Sequence, residues 1–162
     1  MALTSASVAT RHTPYELHRW IVIPTIAAGT GIPTTIEVGT GTEITEALAS
    51  WSGFMKDAAV VQAPDLATRE VQNVPGRVTL QDSSISVWLD PLGLDALTVF
   101  TVGTQTNICR FFDGLTTLGA MVTYVVRPIS ITDGAGMEDV QTGTVNFALK
   151  KIYRGIKYTV IP

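Results

Sequence analysis

Apolar and polar positions change places over short runs that stop at Gly, Pro, Asp or Asn, the signature of β-strands separated by turns. Arg19 to Ile23 is a β-branched run closed by Pro24. Ile32, Thr34, Ile36 and Val38 alternate with Pro33, Thr35 and Glu37, which predicts a half-buried strand with proline at its start or edge. Residues 44–51 fit a turn of helix through Ile44, Ala47, Leu48 and Trp51, and a short strand equally well. Residues 56–76 read as a long connection with turns at Pro64-Asp65 and Pro75-Gly76. The clearest strand is Val78 to Leu89: Ile85, Val87 and Leu89 share one face, and Asp82, Ser84, Ser86, Trp88 and Asp90 the other. Asp90-Pro91 ends it, and Leu92, Asp95, Ala96, Val99 and Phe100 predict one short helix.

Further on, Ile108 to Phe112 and Ala120 to Ile131 read as a strand pair joined through Asp113-Gly114. Val145, Phe147 and Leu149 alternate with Thr144, Asn146, Ala148 and Lys150, and Ile156 to Ile161 makes a last β-branched segment. Many short strands and one helix predict a mainly β fold, a β-sandwich or barrel with one short flanking α-helix. Residues 1–18 are polar and lack a period, so the organisation expected is an extended N-terminal arm (1–18), a single β-rich domain (19–162) and the long loop at 56–76.

Composition changes the picture at the surface. Of 162 residues, 46% are hydrophobic and only 15% charged, less charge than a soluble monomer ordinarily displays, which points to apolar surface that meets other protein. The net charge of -3 argues against a general nucleic-acid binder. Residues 36–95 carry nine acids (37, 43, 46, 57, 65, 70, 82, 90 and 95) against Lys56, Arg69 and Arg77. After residue 140 there are only bases: Lys150, Lys151, Arg154 and Lys157. These two regions either attract each other between neighbouring copies or are plain solvated surfaces. The N-terminus lacks the basic start and apolar block of a secretory signal. The uncharged run from Trp20 to Glu37 is interrupted by Pro24, Gly29, Gly31 and Pro33, so no membrane anchoring is expected.

Motifs for chemistry are missing. His12 and His18 both fall in the arm, without carboxylates at metal-ligand spacing. Ser50-Trp51-Ser52-Gly53 lacks the first glycine of a nucleophile elbow. The Gly-x-Gly pairs at 29–31, 39–41 and 134–136 open no helix with a third glycine and read as turns. Asp133, Glu138 and Asp139 share a loop with glycines and a methionine where calcium would want oxygens. Cys109, the only cysteine, reads as a buried inert thiol, and Trp20, Trp51 and Trp88 read as core or interface anchors. No catalytic residue, metal or cofactor is expected, and the chain does not read as an enzyme.

Several segments carry a family likeness: Pro64-Asp65-Leu66-Ala67-Thr68, Val74-Pro75-Gly76, Asp82-Ser83-Ser84-Ile85-Ser86-Val87, the helix position at 90–100, Thr144 to Lys150, and the ending Thr159-Val160-Ile161-Pro162. With them the chain, over roughly residues 35–162, resembles major tail (tail tube) proteins of long non-contractile tailed bacteriophages, especially those of actinobacteria. It departs from them at Gly103-Thr104-Gln105, where an Arg-Gly turn would be expected. The resemblance implies a structural virion protein, made in the host cytoplasm and housed in the phage tail. It would form stacked six-fold rings, a tail tube that conducts DNA during ejection and holds the tape-measure protein before it. Terminator and tip proteins would be further partners. Two other readings stay open: a tail terminator or head–tail joining ring, and a carbohydrate- or receptor-binding β-sandwich module.

A ring of identical copies needs head-to-tail contact between different patches, with exposed sheet edges as joining surfaces. The expected subunit interface comprises Tyr15, Trp20, Met55, Val60, Val61 and Leu66 together with Lys150, Lys151, Arg154 and Lys157. A conduit for DNA must not bind phosphate tightly, so the acidic and hydroxyl face of Asp82, Ser84, Ser86 and Asp90 is the candidate lumen lining; the alternative is that it simply faces outside water.

Overall fold

A sheet in which the first and last strands are tied together by four residues cannot lie flat, and that is the architecture found. The computed structural model describes residues 18–64, 71–89, 96–112, 119–134 and 141–157. Its strands are β1 (Arg19–Ile23), β2 (Thr42–Glu43), β3 (Leu48–Ser52), β4 (Lys56–Pro64), β5 (Val71–Leu80), β6 (Ser83–Trp88), β7 (Thr106–Phe111), β8 (Ala120–Gly134) and β9 (Thr142–Lys157). A seven-stranded antiparallel sheet runs in the order β2-β1-β7-β8-β9-β6-β3, and β4 and β5 form a separate two-stranded hairpin. The fold is mainly β, as the alternation predicts.

Strands in the middle of the sheet are apolar on both faces because both faces are covered. In β1, Trp20 and Val22 join the main core on the concave side, whereas Ile21 and Ile23 belong to a second, smaller core on the convex side. β7 divides in the same way, with Ile108 inside and Cys109 and Phe111 outside. Rings fill the concave core: Phe54 and Tyr124 meet edge-to-face at 4.8 Å, and Phe100 and Phe147 at 5.2 Å.

β8 and β9 are long and irregular. Their pairing slips at three places, between Met121 and Thr123, Val125 and Val126, and Pro128 and Ser130. Arg154 and Gly155 together face Val122 at the first slip, and Gly155 takes the positive φ (69°) that such a bulge favours. Bulges coil a sheet, which fits the curl seen here. The separate segments expected at 144–150 and 156–161 are thus one strand as far as Lys157; residues 158–162 lie outside the described residues.

The second core is roofed by α1 (Thr35–Thr40), where alternation predicted a strand. Local chemistry overrides the period. Thr34 caps the helix by accepting from the Glu37 N–H, and the Glu37 carboxylate returns to the Thr34 N–H at 2.7 Å, a complete capping box. Glu37 also accepts from the Ala27 N–H at 2.8 Å, and these two backbone donors, Ala27 foremost, hold its pKa below the ordinary value. Val38 points into the core and Ile36 is left exposed.

Other expectations are corrected as well. Residues 56–64 and 71–76 are not a structureless connection but belong to β4 and β5, and Pro75-Gly76 sits inside β5 beside a register shift; residues 65–70, with the turn expected at Pro64-Asp65, lie outside the described residues. The helix expected at 92–100 is a 3-10 turn, Ala96–Val99, with residues 90–95 outside the described set. Val78 to Leu89 is two strands broken at Gln81 and Asp82. Residues 45–47 turn, and β3 follows.

Gly53 turns the chain out of the sheet towards the hairpin. Its φ is +77°, and a Cβ there would lie 2.2 Å from the Asp82 carbonyl oxygen and 2.8 Å from Ser83 Cα. Neither is a flexible side chain. Gly53→Ala is expected to cost about 2–4 kcal/mol, from left-handed backbone strain plus the clash, measured as a lowered urea midpoint at unchanged m-value.

Candidate functional site

The convex face of the curled sheet has two halves. Over β1, β7 and the start of β8 it is apolar and roofed by α1. Over β3, β6, β9 and the end of β8 it carries short polar side chains. Registers align these into two cross-strand rows. One runs Ser52, Ser84, Asn146, Ser130 and the other Ser50, Ser86, Thr144, Thr132.

Members of the rows bond to one another. The Ser52 and Ser84 hydroxyls are 2.8 Å apart, those of Ser86 and Thr144 2.9 Å, and the Asn146 amide donates to the Ser130 hydroxyl at 3.0 Å. The Thr132 hydroxyl donates to the Thr144 carbonyl at 3.2 Å. A surface of this kind is wet, carries no charge in its two rows, and has much of its donor capacity engaged internally. Directly beneath, Ile85, Val87, Val145 and Phe147 are fully buried, so strict alternation fixes the register that keeps the hydroxyls on the outer face.

The second surface is the β4–β5 hairpin. Ala58 with Val78 and Val60 with Pro75 lie on one face, Val61 with Val74 on the other. Val60 is 65% exposed and Val78 57%, while Val61, Val74 and Met55 at its root are about half exposed. At that root the Gln81 amide donates to Asp57 at 2.7 Å, and Arg154 Nη2 donates to the Phe54 carbonyl at 3.2 Å. A two-stranded ribbon with apolar side chains on both faces is marginal in water by itself.

The residues named from sequence fall into several places. Met55, Val60 and Val61 belong to this hairpin or its root, whereas Tyr15, Leu66 and Asp90 lie outside the described residues. Ser84 and Ser86 lie within the hydroxyl rows; Asp82 is exposed where β6 begins. Lys150 and Lys151 border one cleft of about 360 Å³ with Gln105 and Tyr153. The Lys150 ammonium donates to Gln105 at 2.9 Å, and that of Lys151 to the Tyr153 hydroxyl at 2.9 Å while lying over its ring. Arg154 is at the hairpin root instead, and Lys157 is exposed near the end of β9. Trp20 is different. Only 3% exposed, it packs against Trp51, Phe54 and Tyr124 within its own subunit. Its burial follows from the doubly covered β1.

Sequence reasoning missed Ser50, Ser52, Ser130, Thr132, Thr144 and Asn146 as partners of Ser84 and Ser86. The alternation of Thr144 and Asn146 with Val145 and Phe147 was a usable signal, but only strand order and register bring the four strands side by side.

A family model described as phage tail tube protein matches residues 15–128. Among solved structures, the sheath/tube terminator of a PVC extracellular contractile injection system in its extended state is similar at a TM-score of 0.62 and 11% identity, covering 90% of this chain and 97% of that one. The anti-feeding prophage cap, a tube-terminating cap, is similar at 0.56 and 16% identity over 94% and 97%. The SPP1 tail tube is similar at 0.54 and 12% identity over 90% and 78%. At such identities the likeness to these structures is one of fold. No curated protein matches by sequence.

Cys109 is fully buried in the second core, its sulfur 3.6 Å from the Thr123 hydroxyl, which itself donates to the Gly31 carbonyl at 2.7 Å. Burial, foremost, pushes the thiol up from an ordinary 9.0 to about 12. A thiol reagent at pH 8 is expected to leave the folded chain unlabelled and to modify one thiol per chain in denaturant. Between about pH 9 and about 12 the folded thiol keeps a proton that the unfolded one has lost, so Cys109 makes stability fall as pH rises through that window. Urea midpoints of Cys109→Ala should lack this contribution.

Proposed function

This chain belongs to the phage tail tube protein family and is a structural virion protein, and from that premise we propose that it assembles into stacked, six-fold rings whose channel conducts DNA. The observation that carries this reading is the hairpin. Val60 and Val78 on one face, and Val61 and Val74 on the other, keep between 45% and 65% of their surface exposed. In a stack of rings that apolar ribbon lies against a neighbouring copy, where burial of roughly 25 cal/mol per Å² favours association. The lysines of β9, without ion pairs among the described residues, add a charged margin suited to the acid-rich region of the next subunit.

The hydroxyl rows suit the channel wall. Lysine or arginine there would neutralise phosphates and add salt-dependent affinity that impedes passage. Serine, threonine and asparagine that already bond to one another offer water and DNA a hydrated, neutral surface. The tape-measure protein and then DNA are the expected occupants of the channel, and terminator and tip proteins the expected partners at its ends.

Purified protein should polymerise into tubes of uniform width under negative-stain microscopy. Rings that never lengthen would instead favour a terminator, and a monomer that binds glycans a recognition module. Val60→Asp combined with Val74→Asp is expected to raise the concentration needed for assembly at least about tenfold, through loss of buried apolar area, while the thermal midpoint of the unassembled subunit stays unchanged. Ser84→Lys with Asn146→Lys should leave tube formation intact but lower DNA delivery by about tenfold, measured as infectivity of assembled particles. Normal delivery would remove these residues from the channel wall.

A further inference from the structure

A cleft of about 390 Å³ opens at the seam of the curled sheet, where β3 comes round to face β1 and β7. His18, Trp20, Thr45, Ser50, Trp51 and Arg110 border it. Arg110 reaches across the seam. Its guanidinium lies 4.8 Å from the ring centres of Trp51 and Phe112 and 5.2 Å from that of Trp20, so aromatic packing sets its orientation.

The polar contacts of this guanidinium are incomplete. Nη2 lies 3.1 Å from His18 Nδ1, and the guanidinium also interacts with the neutral Tyr124 hydroxyl. Neither form of an imidazole carries negative charge, so histidine supplies no countercharge. Nε of Arg110 is buried without a hydrogen-bond partner. Among the described residues the salt bridge is Arg19 with Glu43, at 3.3 Å, and no carboxylate pairs with Arg110.

A guanidinium that has lost water at one nitrogen, with no anion beside it among the described residues, is held at a cost which the charge of an arriving carboxylate would reduce. The planar edge of the two Nη nitrogens, which unlike Nε are not sealed off, matches two carboxylate oxygens, and Trp51, 44% exposed, forms a wall for the methylenes behind them. The same chain has carboxylates to offer. Glu46, Asp57 and Asp82 are exposed and form no ion pair among the described residues. A socket with a surplus charge of one sign and side chains of the other without ion pairs among the described residues, on different patches of one molecule, is what head-to-tail assembly requires.

We propose that the Arg110 cleft is a carboxylate socket, filled in the assembled protein by an Asp or Glu side chain of a second copy of this chain. This rests on the ring-forming reading above, so two measurements separate the claims. In the first, the full chain below its assembly threshold is titrated with potassium acetate at constant ionic strength, with potassium chloride as the control. The arginine Nε–H resonance that vanishes in Arg110→Lys is followed by NMR. Saturable movement with acetate alone is the expected result, and no saturable movement overturns the socket.

In the second measurement, Arg110→Lys keeps the charge but removes Nε and the fork. It should raise the critical concentration for assembly about tenfold, the effect of one lost charge-assisted hydrogen bond, with the subunit's thermal midpoint unchanged. An unchanged critical concentration overturns the second copy as occupant. If the wild-type chain forms no assemblies, it is the ring reading that fails, and the occupant with it, while the acetate titration still decides the socket. The titration decides it likewise if Arg110→Lys fails to fold.

Discussion

The short link between β2 and β3 governs the rest of the structure. These strands are the two outer members of the seven-stranded sheet, yet only residues 44–47 separate them. Laid flat at the usual strand spacing, the outer strands would stand about 29 Å apart, whereas five residue steps of extended chain span at most about 17 Å. The sheet must curl until its margins approach. Hydrogen bonds at both ends of the link hold that closure: the Ile44 N–H donates to the Trp20 carbonyl at 2.9 Å, and the Trp88 N–H to the Ala47 carbonyl at 2.7 Å. Ile44 itself is buried in the main core, so apolar packing and backbone pairing pull in the same direction.

Curling assigns a role to each face. The concave side becomes a closed apolar core into which Trp20, Phe54, Tyr124 and Phe147 pack. The convex side cannot be enclosed by the sheet, and one six-residue helix covers only part of it. What remains uncovered is the region whose side chains tolerate water, the hydroxyl rows. The seam where the margins meet leaves the cleft at Arg110, and the chain leaves the sheet beside it, at Gly53, to build the hairpin. The hydroxyl rows, the apolar ribbon and the Arg110 cleft thus stand on different parts of one scaffold, and the proposed ring assembly would use each of them.

Alternation was legible wherever one strand face is buried and the other wet. Ile85 and Val87 against Ser84 and Ser86, and Val145 and Phe147 against Thr144 and Asn146, read correctly for this reason. It failed where that asymmetry is absent. β4 and β5 expose apolar residues on both faces, so residues 56–76 have no period to detect and resembled a loop. The segment at 32–38 alternates by coincidence, and the decisive signal was the Thr34–Glu37 capping box, which acts through hydrogen bonds at the helix start and leaves the hydrophobic period untouched. Trp20 could be recognised as an anchor but not assigned, because burial within the subunit and burial between subunits select the same residue type.

By itself the amino-acid sequence determined that this is a β-rich chain with too little charge for its surface and with serine and threonine on the wet side of its best strand. Those properties depend on composition and on neighbours two positions apart. Tertiary structure alone decided that Ser52, Ser84, Asn146 and Ser130 form one row, that β4 and β5 pair into a ribbon, and that Arg110 meets Trp51 across a seam. Each of these joins residues far apart along the chain. Strand order and the curl imposed by a short link bring them together, and neither is written in any local pattern.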